Sequence, residues 1–292
     1  MVSQMRLLVG TAAGMFALDD PTNPLISNTS INHIARDEAG WWAVDGKARV
    51  HHNGHAIAEG GEGVTLNCVL PVDQEVWVGA STARLYRIDG GDLIEDPGFA
   101  GAPGRNDWYT PWGGPPDVRS IAVDGAGTLF INVHVGGILR YDDTGPTPTL
   151  DQDADVHQVI ADKSVEGKVL AACARGLAQS ADGQVFTYRD DGLHAPYCRA
   201  VAFIDDTVLI SASTGPRSNQ ARLYRAGLSS GRFEECRDGL PDWFDDNLDT
   251  HCLSVLDGSV YAGHSGTVWR SDDDGGHWTE VVSGLPRINC LA

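Results

Sequence analysis

A five-residue pattern of apolar, polar, small, apolar and small positions recurs seven times along this chain. The copies fall at residues 31–35, 66–70, 118–122, 156–160, 198–202, 250–254 and 288–292. Their polar members lie between 35 and 52 residues apart. A repeating unit of about 40 residues that holds several short strands is typical of a β-propeller blade. The pattern therefore predicts an all-β fold, a seven-bladed β-propeller.

The seventh copy has no blade after it, whereas the beginning of the chain holds two strands that lack a first strand. These two strands are predicted at 7–10 and 15–18. We expect the C-terminal segment to pair with them and close the ring, because closure removes exposed strand edges. No stretch of ten residues keeps a helical period, so no long helix is predicted.

Composition narrows the class of protein. The repeat uses the whole length, so residues 1–292 are predicted to form a single domain. The net charge of −19 argues against nucleic acid or an anionic membrane as a partner. No apolar run reaches 18 residues, and segment 1–6 lacks the apolar core of a signal peptide. The six cysteines form no closely spaced pairs, so we expect a cytoplasmic protein with reduced thiols.

One loop carries a recognisable motif. Residues 271–278 read Ser-Asp-Asp-Asp-Gly-Gly-His-Trp and match the Asp-box, Ser-x-Asp-x-Gly-x-x-Trp, with shorter echoes at 180–186 and 141–145. The chain thus resembles the Asp-box (BNR-repeat) β-propellers, a group that includes sialidases, some glycosidases and photosystem II assembly factors. It looks most like bacterial members called sialidase-like or WD40/YVTN/BNR-like. The resemblance implies a structural box, whose Ser and Asp bond turn amides while its Trp packs on the blade.

The same resemblance argues against sialidase activity. Sialidases of this group have six blades and an early Phe/Tyr-Arg-Ile-Pro motif, whereas this chain has seven repeats and no such motif. It is therefore predicted not to be a true sialidase, and the catalytic residues of that family cannot be transferred to it.

The polar position of the repeat supplies the candidate site. It reads Asn on three neighbouring blades and Arg or His on the other four: Asn289, Asn32, Asn67, Arg119, His157, Arg199 and His251. Two residues before the last four stand Asp117, Asp155, Tyr197 and Asp249. A carboxylate fixes the tautomer of a neighbouring imidazole, and an arginine offers a planar fork for an acid group. These pairs predict an acid–base site for an anion, lined also by the asparagines. The alternative is that they tie adjacent blades together.

Turns between second and third strands add His134, Arg175 and His264 to the same predicted face. Arg175 is predicted to bind substrate. His134, His157 and His251 are predicted to converge on a single divalent or transition metal ion, if the protein uses a cofactor at all. Ligands from separate blades leave no local spacing motif, so the sequence alone does not decide between a metal ion and no cofactor.

Two long insertions lead into first strands and carry tryptophans. Residues 96–117 include Trp108 and Trp112, and residues 238–249 include Trp243. Long irregular loops in a compact domain are commonly lids or binding loops. We expect the three indoles either to wall a substrate pocket or to fold back over blade edges.

Three functions are compatible with these features. In the first, an enzyme, Arg119 and Arg199 bind a small anionic substrate. His157 or His251, oriented by the preceding aspartate, moves a proton, and Tyr197 assists as an acid. The reaction would be of the lyase, hydrolase or isomerase type, with or without a metal ion. The second function is a non-enzymatic propeller that binds a protein partner, and the third is a glycan-active protein.

Overall fold

The computed structural model describes residues 6–229 and 231–292. Its strands form seven four-stranded sheets, which confirms the predicted all-β, seven-bladed β-propeller. Among the described residues the only α-helix is α1, Pro97–Ala100, so the prediction of no long helix is confirmed. No helix in this part of the chain is long and apolar enough to cross a membrane. Segment 1–6, in which no signal-peptide core was found, lies outside the described residues except for Arg6.

The strands are numbered in chain order. They are β1 Leu8–Thr11, β2 Gly14–Ala17, β3 Ile26–Ser27, β4 Ile31–Asp37, β5 Gly40–Asp45, β6 Arg49–His52, β7 His55–Glu59, β8 Leu66–Val72, β9 Glu75–Ala80, β10 Arg84–Asp89, β11 Asp92–Glu95, β12 Val118–Val123, β13 Leu129–Val133, β14 Gly137–Asp142, β15 Gly145–Leu150, β16 Val156–Ala161, β17 Val169–Cys173, β18 Gly176–Ser180, β19 Thr187–Arg189, β20 Tyr197–Ile204, β21 Thr207–Ser213, β22 Ala221–Gly227, β23 Glu234–Glu235, β24 Leu253–Leu256, β25 Ser259–His264, β26 Thr267–Ser271, β27 Thr279–Val282 and β28 Ile288–Leu291.

The chain packs into two compact units. The middle unit is Asn32–Arg189, and the terminal unit is the chain up to Ile31 together with Asp190–Ala292. The middle unit contains the sheets β4–β7, β8–β11, β12–β15 and β16–β19. The terminal unit contains β20–β23, β24–β27 and a sheet in the order β28-β1-β2-β3. The single domain predicted for residues 1–292 is not tested by this grouping and stays a prediction.

Apolar residues of neighbouring sheets fill the core of the middle unit. Val118 of β12 and Leu85 of β10 are fully buried and belong to one cluster with Phe99 of α1. Space is tight between first and second strands, because a Cβ on Gly79 would lie 2.5 Å from Cys68 Sγ. Burial raises the pKa of the Cys68 thiol to about 12. This cysteine is therefore a small core residue, which explains why the repeat demands small side chains here.

The last strand completes the first sheet of the terminal unit. β28 pairs antiparallel with β1, and Leu291 lies opposite Val9. The backbone N–H of Leu8 donates to the carbonyl of Ala292 at 2.7 Å, and the N–H of Ala292 donates back to Leu8 at 3.0 Å. Leu291 and Ile288 are both buried in an apolar cluster of this unit. The prediction that the C-terminal segment pairs with the N-terminal strands is confirmed.

The Asp-box forms the turn between β26 and β27. Ser271 Oγ donates to Asp273 Oδ1 at 2.9 Å and accepts the N–H of Gly275 at 2.9 Å. Asp273 Oδ1 also accepts the N–H of His277 at 2.8 Å. Trp278 is buried, and its indole N–H donates to the Gly275 carbonyl at 3.1 Å. The structural role expected of this loop is confirmed.

The shorter echo at 180–186 makes a similar turn in the middle unit. Ser180 Oγ donates to Asp182 Oδ1 at 3.0 Å and accepts the N–H of Gly183 at 2.9 Å. Asp182 Oδ1 in turn accepts the N–H groups of Gln184 and Val185, each at 2.9 Å. Two blades therefore use the same Ser and Asp arrangement to satisfy turn amides.

Candidate functional site

In five of the repeats the polar residue lies at a β-bulge. Val118 faces Val133 and Ser120 faces Asn132, so Arg119 is the extra residue on its strand. The ladder shifts in the same way at Asn67, His157, Arg199 and Asn289. A bulge takes the extra residue out of the ladder and re-aims its side chain. This explains why the repeat does not alternate strictly between apolar and polar positions.

The three asparagines use their amides to link neighbouring first strands. The bonds run from Asn32 Nδ2 to the Leu66 carbonyl at 2.8 Å, from Asn67 Nδ2 to the Val118 carbonyl at 3.1 Å, and from Asn289 Nδ2 to the Ile31 carbonyl at 3.0 Å. Each accepting carbonyl belongs to the residue just before the polar position of the next repeat. These bonds give the asparagines a structural role, and their predicted part in substrate binding stays a prediction.

Three side chains of the middle unit, His134, Asp155 and His157, meet at neighbouring strand ends. One nitrogen or oxygen atom of each lies within 4.8 Å of the other two. His134 Nε2 is 3.0 Å from Asp155 Oδ1, and His157 Nε2 is 3.8 Å from Asp155 Oδ2. His157 is fully buried and His134 nearly so, whereas the Asp155 side chain is 31% exposed. A carboxylate that solvent can reach is thus held between two buried imidazoles.

Backbone geometry around this cluster is unusual. Asp155 ends the 3-10 turn Gln152–Ala154 in a left-handed conformation, with φ 46° and ψ 67°. Val135, next to His134, has φ 55°. A positive φ is uncommon for residues other than glycine and is a genuine outlier for a β-branched one. Thirteen described non-glycine residues have positive φ and aspartate adopts it readily, so the β-branched Val135 is the exceptional residue at this cluster.

Charges and burial act together on the cluster. Burial lowers the pKa of His134, the Asp155 carboxylate partly offsets this, and the charge of Arg119 lowers it further. Burial alone would raise the pKa of Asp155, but His134, His157 and Arg119 outweigh it and hold that pKa below its usual range. The cluster therefore combines an ionised carboxylate with a His134 imidazole that is mostly neutral at pH 7, beside a cationic guanidinium.

The tryptophans of loop 96–117 take different positions. The Trp112 ring lies 5.2 Å from that of His134 and is 67% exposed, so it stands beside the cluster at the surface. Trp108 instead lies 5.8 Å from Phe99 and packs against the apolar core. One indole is placed as a pocket wall would be, and the other folds back over its blade.

Two further predicted residues of the middle unit are not members of the three-residue cluster, although the Asp117 carbonyl accepts the backbone N–H of His134 at 2.9 Å. Asp117 Oδ1 accepts the backbone N–H of Thr82 at 3.2 Å and so joins two sheets. Arg175 is exposed in the turn between β17 and β18. The contact of Asp117 links adjacent blades, which is the alternative role that the sequence analysis gave for these aspartates.

In the terminal unit, Tyr197, Arg199 and Asp249 contact one another. Arg199 Nη1 donates to Asp249 Oδ1, and its Nη2 donates to the Tyr197 hydroxyl at 3.3 Å. Burial would lower the pKa of Arg199, but Asp249 and Tyr197 outweigh it and raise that pKa. Arg287, which the sequence pattern did not indicate, donates to Asp249 Oδ2 at 3.2 Å. Asp249 is thus shared by two guanidinium groups.

His251 lies in a turn and not in a first strand. Its φ is 66°, the N–H of Cys252 closes the turn on the Asp249 carbonyl at 3.0 Å, and β24 begins only at Leu253. The sequence predicted that His134, His157 and His251 would converge. In the structure, the three side chains with close ligand atoms are His134, Asp155 and His157, so Asp155 takes the place predicted for His251. The sequence analysis gave Asp155 only as the residue that orients His157, because the spacing of residues along the chain does not show which side chains converge in space.

A small cleft of about 250 Å³ in the terminal unit is lined by Asp249, His264 and Arg287, among other residues. His264 Nε2 lies 2.8 Å from Asp245 Oδ1, and its ring meets the Phe244 ring edge-on at 5.1 Å. The charged groups of this cleft mostly pair with one another, which is what a structural ion-pair network would show.

Trp243 lies over the sheet β20–β23. Its ring is 3.5 Å from the Arg222 guanidinium and 5.0 Å from the His194 ring. Arg222 Nη1 also pairs with Glu235 Oε1 at 2.8 Å. These contacts anchor loop 238–249 on a blade, which is the alternative that the sequence left for this tryptophan.

A groove with about 1280 Å³ of empty space, which no sequence feature indicated, lies in the middle unit. Turns between first and second strands and between third and fourth strands form it, so it lies at the strand ends opposite to the His134 cluster. Its carboxylates are Asp73, Glu75, Asp96, Asp142 and Asp143. Within it, the Arg87 guanidinium lies 5.4 Å from the Trp77 ring, and Tyr141 donates to Asp96 at 2.7 Å.

Solved structures resemble this chain in fold. One is a catalytically inactive histidine-to-alanine variant of virginiamycin B lyase from Staphylococcus aureus with quinupristin: 15% identity over 88% of this chain and 84% of that one, TM-score 0.62. The WD40 propeller domain of Doa1 matches with 14% identity over 97% and 88%, TM-score 0.62. A protein assigned as a 6-phosphogluconolactonase from Bacteroides uniformis matches with 11% identity over 98% of both chains, TM-score 0.59.

These likenesses establish the β-propeller fold and nothing finer, because identity is low throughout. No protein-family model and no curated protein sequence matches the chain. The resemblance to Asp-box propellers is therefore supported by its two loops and is not established as a family. Proteins with enzyme names occur among the structural neighbours, so an enzymatic propeller is compatible with this fold.

Proposed function

We propose that this protein is an enzyme that acts on a small anionic substrate at the cluster of His134, Asp155 and His157. The observation that carries the proposal is the convergence of these side chains within 4.8 Å, in electrostatic range of Arg119. The Asp-x-Arg and Asp-x-His pattern by itself does not distinguish a structural ion pair from a catalytic pair. A solvent-reached carboxylate between two buried imidazoles, next to strained backbone, is instead typical of acid–base chemistry.

Each residue has a role in this proposal. The Arg119 guanidinium binds the acid group of the substrate through its planar fork. The cluster transfers the proton, with the Asp155 carboxylate favouring the charged form of its nearer imidazole, His134. The reaction belongs to the lyase, hydrolase or isomerase type. Virginiamycin B lyase, whose histidine variant is catalytically inactive, supports this by analogy of fold only.

A substrate panel tests the proposal. Small carboxylated lactones, carboxylated esters and β-substituted acids are offered to the unmodified chain, and proton release or ultraviolet absorbance is followed. Asp155→Asn is expected to lower kcat by about 10²–10⁴-fold. Arg119→Met is expected to raise KM for the anionic substrate. Arg232→Ala removes an exposed arginine and is expected to change neither constant. An unmodified chain that turns over no panel compound, or an Asp155→Asn variant that matches it, contradicts the proposal.

A protein-binding propeller is the second candidate function. The groove in the middle unit favours it, because five carboxylates beside Trp77 suit a basic segment of a partner. Calorimetric titration with an arginine-rich peptide tests this, and the Glu75→Gln/Asp142→Asn double variant is expected to bind more weakly. Equal affinity of the variant and the unmodified chain would exclude the groove as the docking site.

A further inference from the structure

The cluster of His134, Asp155 and His157 also has the composition of a metal-ligand set. Two imidazoles and one carboxylate form the protein side of many catalytic sites for zinc and non-haem iron, which keep other coordination positions open. We infer that these three side chains hold one divalent transition-metal ion. The inference shares its location with the proposed function, but metal binding is measured separately from turnover.

The spacing of the three side chains fits such an ion. Ligand bonds of about 2.0–2.2 Å place neighbouring ligand atoms roughly 3–3.5 Å apart. The two histidine–carboxylate distances are 3.0 and 3.8 Å, and all three ligand atoms lie within 4.8 Å of one another. Both histidine–carboxylate separations are therefore close to that of two atoms bound to one ion.

The carboxylate has an oxygen that a cation would satisfy. Asp155 Oδ1 is buried and, although it lies 3.0 Å from His134 Nε2, makes no well-aligned hydrogen bond among the described residues. A buried charged oxygen without a good donor is costly. A metal ion at this point replaces a poorly aligned contact by a strong one, and the exposed part of Asp155 provides a path from solvent.

The charges around the cluster are mixed. Asp155 supplies a negative charge, and Asp117 is near enough to act on His134. Arg119 opposes a cation, but in the proposed function its charge is offset when it binds the acid group of the substrate. An ion held by these three side chains would supply Lewis-acid chemistry next to the bound anion, and it would occupy the imidazole nitrogens that otherwise transfer the proton.

The cluster differs from the surface pair His277 and Asp238, and a third ligand distinguishes it from every other histidine–aspartate pair among the described residues. His277 Nδ1 lies 3.0 Å from Asp238 Oδ2, a similar separation, but both side chains are exposed and no third ligand joins them. Across residues 6–229 and 231–292, no other three His, Cys, Asp or Glu side chains bring ligand atoms this close. The surface pair is therefore a matched control for nonspecific binding.

Cobalt titration tests the metal site. The full chain is dialysed against dipicolinate, titrated with Co²⁺ while visible absorbance is recorded, and then titrated with Zn²⁺ in competition. We expect one Co²⁺ per chain, displaced by one Zn²⁺. Asp155→Asn and His134→Gln are expected to weaken Co²⁺ binding by at least about 10-fold. His277→Gln is expected to leave it unchanged.

Folding is checked by circular dichroism and thermal melting of every variant. If His134→Gln does not fold, Asp155→Asn, which keeps the side-chain shape, decides the result. A stripped chain that binds no Co²⁺, or an Asp155→Asn variant that binds it as tightly as the unmodified chain, overturns the site. Full turnover by the metal-free protein would contradict a catalytic metal ion and would still support the proposed function. One bound metal without turnover of any panel compound leaves the metal site and contradicts that function.

Discussion

Replacing Ile288 and Leu291 of β28 by alanine is expected to destabilise the protein strongly. Their exposed fractions are 4% and 5%, and both pack in the cluster that contains Val9 and Tyr261. Truncation of one such buried side chain costs about 2–5 kcal/mol. The two share a cluster and are not strictly additive, so the double change should cost about 4–8 kcal/mol. That is a large part of the roughly 5–15 kcal/mol by which a domain is stable.

Thermal unfolding followed by far-ultraviolet circular dichroism measures this loss. At about 2 °C per kcal/mol for a chain of this size, the melting temperature should fall by roughly 8–16 °C. Val281→Ala on the neighbouring strand β27 is the control, because that side chain is 39% exposed and its loss should shift the melting temperature little. If the double variant melts within about 2 °C of the unmodified chain, β28 does not stabilise the fold as its closing strand.

Three further predictions concern packing, pH and the Asp-box. Gly79→Ala should cost about 1–3 kcal/mol in chemical denaturation, because the new Cβ would meet a cysteine sulfur and a valine methyl at 2.5 Å. Hydrogen bonds from Ser164 and Lys168 hold the pKa of Asp162 at about 2, below its ordinary 3.8. This stabilisation is present above pH 4 and is lost as pH falls through 2. Asp162→Asn should therefore lower the free energy of unfolding in urea by about 1 kcal/mol at pH 7 after solvent screening, and by clearly less at pH 2. Ser271→Ala should cost about 1–2 kcal/mol, seen as a lower melting temperature, because it leaves a buried turn amide without its acceptor.

The architecture was predictable because each blade repeats one requirement. The first strand needs small residues for close packing and one polar residue at its bulge, so seven copies of the same five positions mark seven sheets. The role of β28 was predictable because the last of the seven repeats has no blade after it, while the N-terminal strands lack a first strand. The exception is the sixth repeat, where His251 adopts a positive φ and the strand starts at Leu253. Nothing in the residue types of 250–254 distinguishes a turn from a strand entry.

The candidate site was only partly predictable. Asp155 and His157 are two residues apart, so their association is visible in the sequence. His134 reaches them from another sheet, and Arg287 reaches Asp249 from the loop before β28. Such contacts depend on how sheets stack, which spacing along the chain does not encode. The acidic groove was missed for the same reason, since its carboxylates come from separate turns of two blades.

The bulge at the polar position has a consequence for how this scaffold could acquire new chemistry. Because the extra residue contributes nothing to the register of its sheet, its identity can change while the hairpin around it stays intact. Asn, Arg and His already occupy equivalent bulges in this one chain. A combinatorial library varied at 119, 157 and 199 would therefore explore binding specificity without a change of strand register, in the way that randomised loops are used in antibody engineering, whereas Asn67 and Asn289 would be kept for the bonds that join first strands.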